Sequence, residues 1–285
     1  MIDSFLSSWP LFHDVYIAGA LIAVLLSLVG IAVIVRDQVF LGAAVSQASL
    51  LGIALGIWLD TYAAGSSSLA WMATDTTHSL MGGVFAVAGS LAVAAAAPRL
   101  RESREALTGW VFLVGASLSV LVVSNSPHGM TEVNRLLSST VIGANHADVT
   151  IVTVLLVVTV VVLALRLRPL LLLLVDAEMA AACGVAVARW ERLLAVWLGL
   201  AVAWSMHVTG LVYTFGCLVL PALIAKNLVR ELHTMVVVAP VVAAVGVLAA
   251  FVLAHHFDLP PGQVAVAILA LLQAAAWTWK TAVGR

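Results

Sequence analysis

The side chains able to do chemistry in this 285-residue chain fall into three small groups. The first lies in an apolar run, residues 40–56, where Ser46, Gln47 and Ser49 are the polar members and Ala43 stands one helical turn before Gln47. Gly42, Ser46, Ser49, Gly52 or Ile53, and Gly56 recur at three-to-four spacing. Such a stripe lets another backbone approach closely. Burying the Gln47 amide without a partner would cost about 1–3 kcal/mol, so it should face either a neighbouring helix or an aqueous path. The second group is Asp176, Glu178, Ala182 and Gly184. Asp176 can cap a helix with Met179 three residues on, Glu178 adds an acid in the first turn, and Gly184 can end it. The third is histidine: His13, His78, His128, His146, His207, His255 and His256. Imidazole suits zinc, copper, nickel and iron, yet no two of these stand at the i, i+4 spacing of a helical ligand pair. They read equally as interfacial residues. Cys183 and Cys217 both lie in apolar company, which suggests neither a disulfide framework nor a cysteine metal site.

Several chemistries are missing. No G-x-x-x-x-G-K-[ST] phosphate loop, HExxH pattern or GxSxG elbow occurs. The apolar runs hold no Asp, Glu, Lys or Arg well inside them, and such groups usually mark proton or sodium coupling in secondary transporters. Energy for any transport would have to come from outside the chain.

The elements that must position these residues follow from composition. The chain is 63% hydrophobic and 9% charged, whereas a soluble domain has roughly 25% charged residues. With 13 Lys+Arg against 14 Asp+Glu there is no excess cation to meet a nucleic-acid backbone. A bilayer is crossed by about 20 apolar residues in a helix, and runs this continuous mean helices rather than a barrel. Spans are expected at 15–35, 40–59, 79–98, 107–124, 149–165, 193–207, 208–225, 234–254 and 263–279. Ser205, His207 and the Thr209-Gly210 pair only briefly interrupt 193–225, which is either two short spans or one span and a broken segment. The fold expected is all-α: one polytopic helical membrane domain over residues 1–285, with eight or nine transmembrane helices.

The first 14 residues hold no Lys or Arg, unlike a cleavable signal peptide, so the first run is read as a retained helix. Basic residues stay on the cytoplasmic side of membrane proteins. With nine spans and the N-terminus outside, twelve of the 13 Lys and Arg fall inside and Arg135 alone outside. Residues 99–105 then form a short charged inner loop, residues 176–192 a longer inner segment, and every histidine but His233 lies towards the outer side. Pro221 should kink or end regular helix. Asp258-Leu-Pro-Pro-Gly262 is turn chemistry at an outer boundary.

Four segments together resemble the permease subunit of the metal-ion family of ABC importers, which move zinc, manganese or iron. They are Gly42-x-Ala44-x-Ser46-x-Ala48, Asp176-x-Glu178-x-Ala180 with Gly184, the run from Gly210 to Pro221-Ala-Leu-Ile-Ala, and Asp258-Leu-Pro-x-Gly262. The resemblance covers nearly the whole chain. It implies a second permease copy in a homodimer, cytoplasmic ABC ATPases that bind and hydrolyse ATP, and an extracytoplasmic substrate-binding protein. The permease itself would carry no catalytic residue and no resident cofactor, and the metal ion would be its cargo. By the same resemblance, residues 176–192 are the coupling segment that docks into an ATPase, with Asp176, Glu178, Ala182 and Gly184 at the contact.

The second span of that family usually reads Gly-Asp-Ala-x-Ser-His-Ala, with the Asp and His proposed to line the metal path. This chain has Ala43 and Gln47 there. Ala43, Ser46, Gln47 and Ser49 are thus the expected path residues, with His207 as a compensating metal ligand. An amide is a poor ligand for zinc or manganese and a methyl group is none. The alternatives are the same importer carrying a metal chelate or a neutral small molecule, and a membrane scaffold that transports nothing.

Overall fold

In the computed structural model, the backbone is described for residues 2–63, 75–100, 102–124, 144 and 146–282. His128 and Arg135 lie outside these residues. Ten helices follow one another: α1 Ile2–Val35, α2 Leu41–Ala63, α3 Asp75–Leu100, α4 Arg104–Val123, α5 His146–Val175, α6 Ala177–Ala182, α7 Val187–Thr209, α8 Leu211–Leu228, α9 Leu232–Phe257 and α10 Pro261–Ala282. Among the described residues there is no strand, and all the helices but α6 are long and apolar enough to cross a membrane. Each of the nine expected spans corresponds to one of them. The helices run past the apolar stretches at one or both ends because the hydrogen-bonded ladder continues into flanking polar residues that still favour helix.

The short interruption after His207 is a single residue. Gly210, at φ 77° and ψ 176°, ends α7 and caps α8. That φ is open to glycine and strained for most other residues. Across the break Thr209 and Thr214 pair their buried hydroxyls at 3.3 Å. Pro221 does not end its helix as expected: α8 continues through it to Leu228. A kink arises elsewhere. In α5, Arg166 leaves helical geometry (φ −128°, ψ 22°) three residues before Pro169. Pro169 has no N–H for the carbonyl four residues back, and its ring crowds that turn. The expected span 149–165 therefore stops where the helix bends, and a second leg carries the chain to Val175.

The helices group into two compact units. Unit 1 comprises α1, α5, α6, α8, α9 and α10. In it α8 is buried at most positions from Tyr213 through Ala225. The α1 backbone comes so close to it that a methyl group on Gly30 would overlap the Leu218 carbonyl. The Tyr213 hydroxyl, fully buried, donates to the Gly19 carbonyl at 2.9 Å. Asp258, in left-handed conformation (φ 52°), closes α9, and Pro261 opens α10. This is the turn expected from the sequence at that span boundary, with proline at the first helical position, where it lacks nothing the helix needs.

Unit 2 comprises α2, α3, α4 and most of α7, with α2 packed on both α3 and α4. Ser90 of α3 donates to the Ala195 carbonyl of α7 at 2.7 Å. Arg104 at the start of α4 pairs with Glu191 of α7 at 2.9 Å. In both units large apolar side chains face outward, among them Leu113, Leu121, Val158, Leu165, Val241 and Leu271. Such a surface is unstable in water and suits a hydrocarbon solvent.

Candidate transport path and coupling segment

In α2 the small-residue stripe does what its spacing predicts. A methyl group on Gly52 would overlap the Met81 carbonyl of α3, and one on Gly89 of α3 would lie 3.0 Å from the Ala48 side chain. On the other flank, a methyl on Gly115 of α4 would lie 2.6 Å from the backbone carbonyl carbon of Gln47. The helix is thus gripped from two sides at backbone distance, and small residues alone permit it.

The expected path residues all lie in this grip. Ala43 is 9% exposed, Gln47 is 6% exposed, and Ser46 and Ser49 are fully buried. Ser46 returns its hydroxyl to the Gly42 carbonyl at 2.9 Å, so its own helix satisfies it. Ser49, beside Gly82 of α3, has no hydrogen-bond partner for its oxygen among the described residues. Neither has the Gln47 amide among the described residues. No carboxylate or imidazole stands in α2 between Leu41 and Leu59. Among the described residues, no three His, Cys, Asp or Glu side chains converge as a metal centre would require.

His207, in the last turn of α7, is half-buried, with its ring 6.2 Å from that of Trp204. In unit 1, Asp14 stands between His13 at 3.3 Å and His146 at 3.6 Å. The sequence could not show the approach of His146 to Asp14, since 132 residues separate the two.

The second group, in unit 1, forms a helix of six residues with both ends closed. Asp176 is extended (φ −146°, ψ 101°), and its Oδ1 accepts from the amides of Glu178 at 3.0 Å and Met179 at 2.9 Å. Gly184, at φ 83°, turns the chain out. Its amide donates to Ala181, while Val185 donates to Ala180, both at 3.0 Å. This reciprocal closure is the glycine-terminated end expected from the sequence. The anchoring contact is Ala180, fully buried, whereas Glu178, Met179 and residues 181–184 are exposed. Six residues are too few to hold helix in water by themselves, so the two caps and the buried alanine carry the element. The preceding leg of α5 is tied to α1, where Arg36 donates to the Leu173 carbonyl at 3.5 Å.

A family model described as the ABC 3 transport family matches residues 8–279. The chain belongs to that family. As a member of the ABC 3 transport family it is a multi-pass membrane transport permease. It is 26% identical to a "Probable metal transport system membrane protein" of Thermotoga maritima, over 90% of this chain and 89% of that one. It is 21% identical to the manganese transport system membrane protein MntC of Listeria monocytogenes (94% and 90% covered). The high-affinity zinc uptake system membrane protein ZnuB of Haemophilus influenzae is also 21% identical (90% and 92%). In fold it resembles PsaBC from Streptococcus pneumoniae, solved in complex with Fab. The TM-score is 0.80 at 18% identity, covering 97% of this chain and 95% of that one.

The close approaches of Gly89 and Gly115 to α2 were not singled out in the sequence. The sequence holds the small pairs Gly89-Ser90 and Gly115-Ala116, but among other small residues in the same runs. Which helix they meet is a tertiary fact that such pairs do not encode.

Proposed function

We propose that this chain is the transmembrane permease subunit of an ATP-driven ABC importer for a divalent transition metal (zinc, manganese or iron). Alternating access would be powered by ATP hydrolysis on a separate cytoplasmic ATPase. The observation that carries the reading is α6: a doubly capped helix whose anchoring alanine is buried and whose outer face is free to enter a partner. A rigid short helix can transmit a push, and Asp176 and Gly184 supply that rigidity. The metal as cargo is supported by the printed names of the manganese and zinc relatives. An extracytoplasmic binding protein and a second permease copy complete the proposed assembly. The test is ATP turnover by the complex of permease, ATPase and binding protein reconstituted in vesicles. Turnover should rise on adding at least one of zinc, manganese or iron to the binding-protein side; no response to any of them overturns the metal reading.

A second reading, the same machine carrying a metal chelate or a neutral small molecule, is favoured by one observation. The path expected along α2 presents a methyl group at Ala43 and an amide without a partner at Gln47. An amide recognises neutral polar cargo by hydrogen bonds but is a weak ligand for a bare transition metal. An Ala43→Asp, Gln47→His double change separates the two. Gain of bare-metal transport favours the first reading, and no gain favours the second.

A further inference from the structure

One end of unit 1 carries a cavity of about 400 Å³ with a cationic rim. It lies where α1, α8 and α10 finish and α9 begins, and Lys226, Arg230 and Lys280 line it, with Asn227 beside them and Leu232 and Met235 among its apolar walls. Met235 is 3% exposed and closes the cavity from the interior. The cations are incompletely neutralised. Lys226 meets Asp37 at 3.3 Å, but that carboxylate is 85% exposed. Among the described residues Lys280 donates only to the neutral Asn227 Oδ1, at 3.3 Å. Arg230 has no ion pair or hydrogen bond among the described residues. Glu231, the nearest further acid in sequence, turns to His233 at 3.2 Å. It also gives α9 no side-chain cap, which leaves the positive end of a 26-residue helix open beside the cavity.

Three cations and an uncapped helix start around a cavity of this size select a phosphate-bearing ligand. The depth of the site decides which source supplies it. Trp277 and Trp279 precede Lys280 by three residues and one, and are 54% and 60% exposed. Exposed tryptophans at the end of a membrane helix mark the headgroup layer. Leu271 and Leu272, further up α10, face outward as lipid-contacting residues do. We propose that this cavity binds the phosphodiester headgroup of an anionic phospholipid, held by Arg230 and Lys280 while its acyl chains follow the outer face of α10. Basic pockets between helix ends at this depth suit such headgroups.

The test uses the purified full-length protein in mild detergent, with lipid binding read by native mass spectrometry and by the thermal midpoint. Phosphatidylglycerol should bind at least tenfold more tightly than phosphatidylcholine and raise the midpoint. An R230Q/K280Q variant should lose that preference, and an R230K/K280R variant should keep it. Neutralising exposed cations outside the cavity, as in R166Q/R168Q, should leave the preference in place. Equal binding of the two lipids, or a preference that survives R230Q/K280Q, overturns the proposal. Inorganic phosphate is the other source of the same chemistry. Raising of the midpoint by phosphate alone, with no preference for phosphatidylglycerol, would assign the cavity to a soluble anion and overturn the lipid reading. Should R230Q/K280Q fail to fold, R230Q alone is read instead, with a loss of at least threefold expected and no loss overturning the proposal. Neither metal nor ATP enters the measurement, so its outcome is separate from that of the transport assay.

Discussion

Gln47 is 6% exposed and its amide has no hydrogen-bond partner among the described residues, while the backbone on which it stands is pressed against Gly115. The sequence left two duties open for it, gluing helices together or facing a path. The first needs a polar partner on α3 or α4, and neither supplies one. Gln47→Met, similar in volume and apolar, should therefore leave the thermal midpoint unchanged or raise it while lowering transport of the native cargo. A clear fall in the midpoint would show instead that the amide serves stability. The neighbouring Gly115 gives the opposite pattern. Gly115→Val must push the α4 backbone away from α2, and overpacking of this kind costs about 1–3 kcal/mol. A lowered midpoint in detergent is the expected readout, and an unchanged one would mean that the two backbones separate freely. At this scale much was legible: Ser46, Ser49 and Gln47 were recognisable as buried polar residues because helical spacing sorts α2 into faces. What the spacing could not show is that Ser46 is satisfied by its own helix while Ser49 and Gln47 are not.

Elements behave differently, because their ends are set by local chemistry that a sequence states openly. Asp176, Gly184, Asp258 and Pro261 each sit where cap and turn preferences put them, and the helices they bound follow. Proline was the exception. Pro221 lies within a helix that runs on, whereas Pro169 accompanies a real bend at Arg166. The difference is one of support: α8 is enclosed along most of its length, and packing holds it in helical geometry, while much of the first leg of α5 faces outward and has less to resist the bend. Burial of that kind is a property of the assembled unit, so the two prolines look alike in the sequence. The caps of α6 yield a prediction of their own. Asp176→Ala removes two amide acceptor bonds and should cost about 1 kcal/mol locally. Gly184→Ala forces a methyl-bearing residue into left-handed backbone at about 1–2 kcal/mol. Neither change touches the buried walls of either unit. Both should leave the yield and thermal midpoint of the purified permease nearly unchanged while reducing cargo-stimulated ATP turnover of the assembled complex several-fold. Turnover equal to that of the unaltered complex would separate α6 from coupling.

For the whole molecule the open matter is direction, and the charge pattern gives it physical content. Where the structure describes them, the basic residues stand at alternate helix ends: Arg36 after α1, Arg104 at the start of α4, Arg166 and Arg168 at the bend of α5, and Arg189 and Arg192 in the first turns of α7. Lys226 and Arg230 follow at the α8–α9 junction, and Lys280 closes α10. If each membrane-length helix crosses once, alternation of this kind puts all of them on one side, and the retention of cations in the cytoplasm makes that side the inner one. The N-terminus is then outside, the C-terminus inside, and α6 in the cytoplasm where an ATPase could reach it. The chain carries its own reporter for this. It has two cysteines: Cys183, at the end of α6, is exposed, and Cys217, in α8, is fully buried. A membrane-impermeant maleimide needs an accessible thiolate, so it should label Cys183 and spare Cys217. Labelling is expected in inside-out vesicles and absent in right-side-out ones, and a Cys183→Ser variant should remain unlabelled in both. Adding the cognate ATPase to inside-out vesicles should then protect Cys183, because the helix that bears it would be covered. Labelling from the outer side would reverse the orientation, and with it the placing of every basic residue named above. Labelling from the inner side without protection would keep the orientation and remove α6 as the docking element.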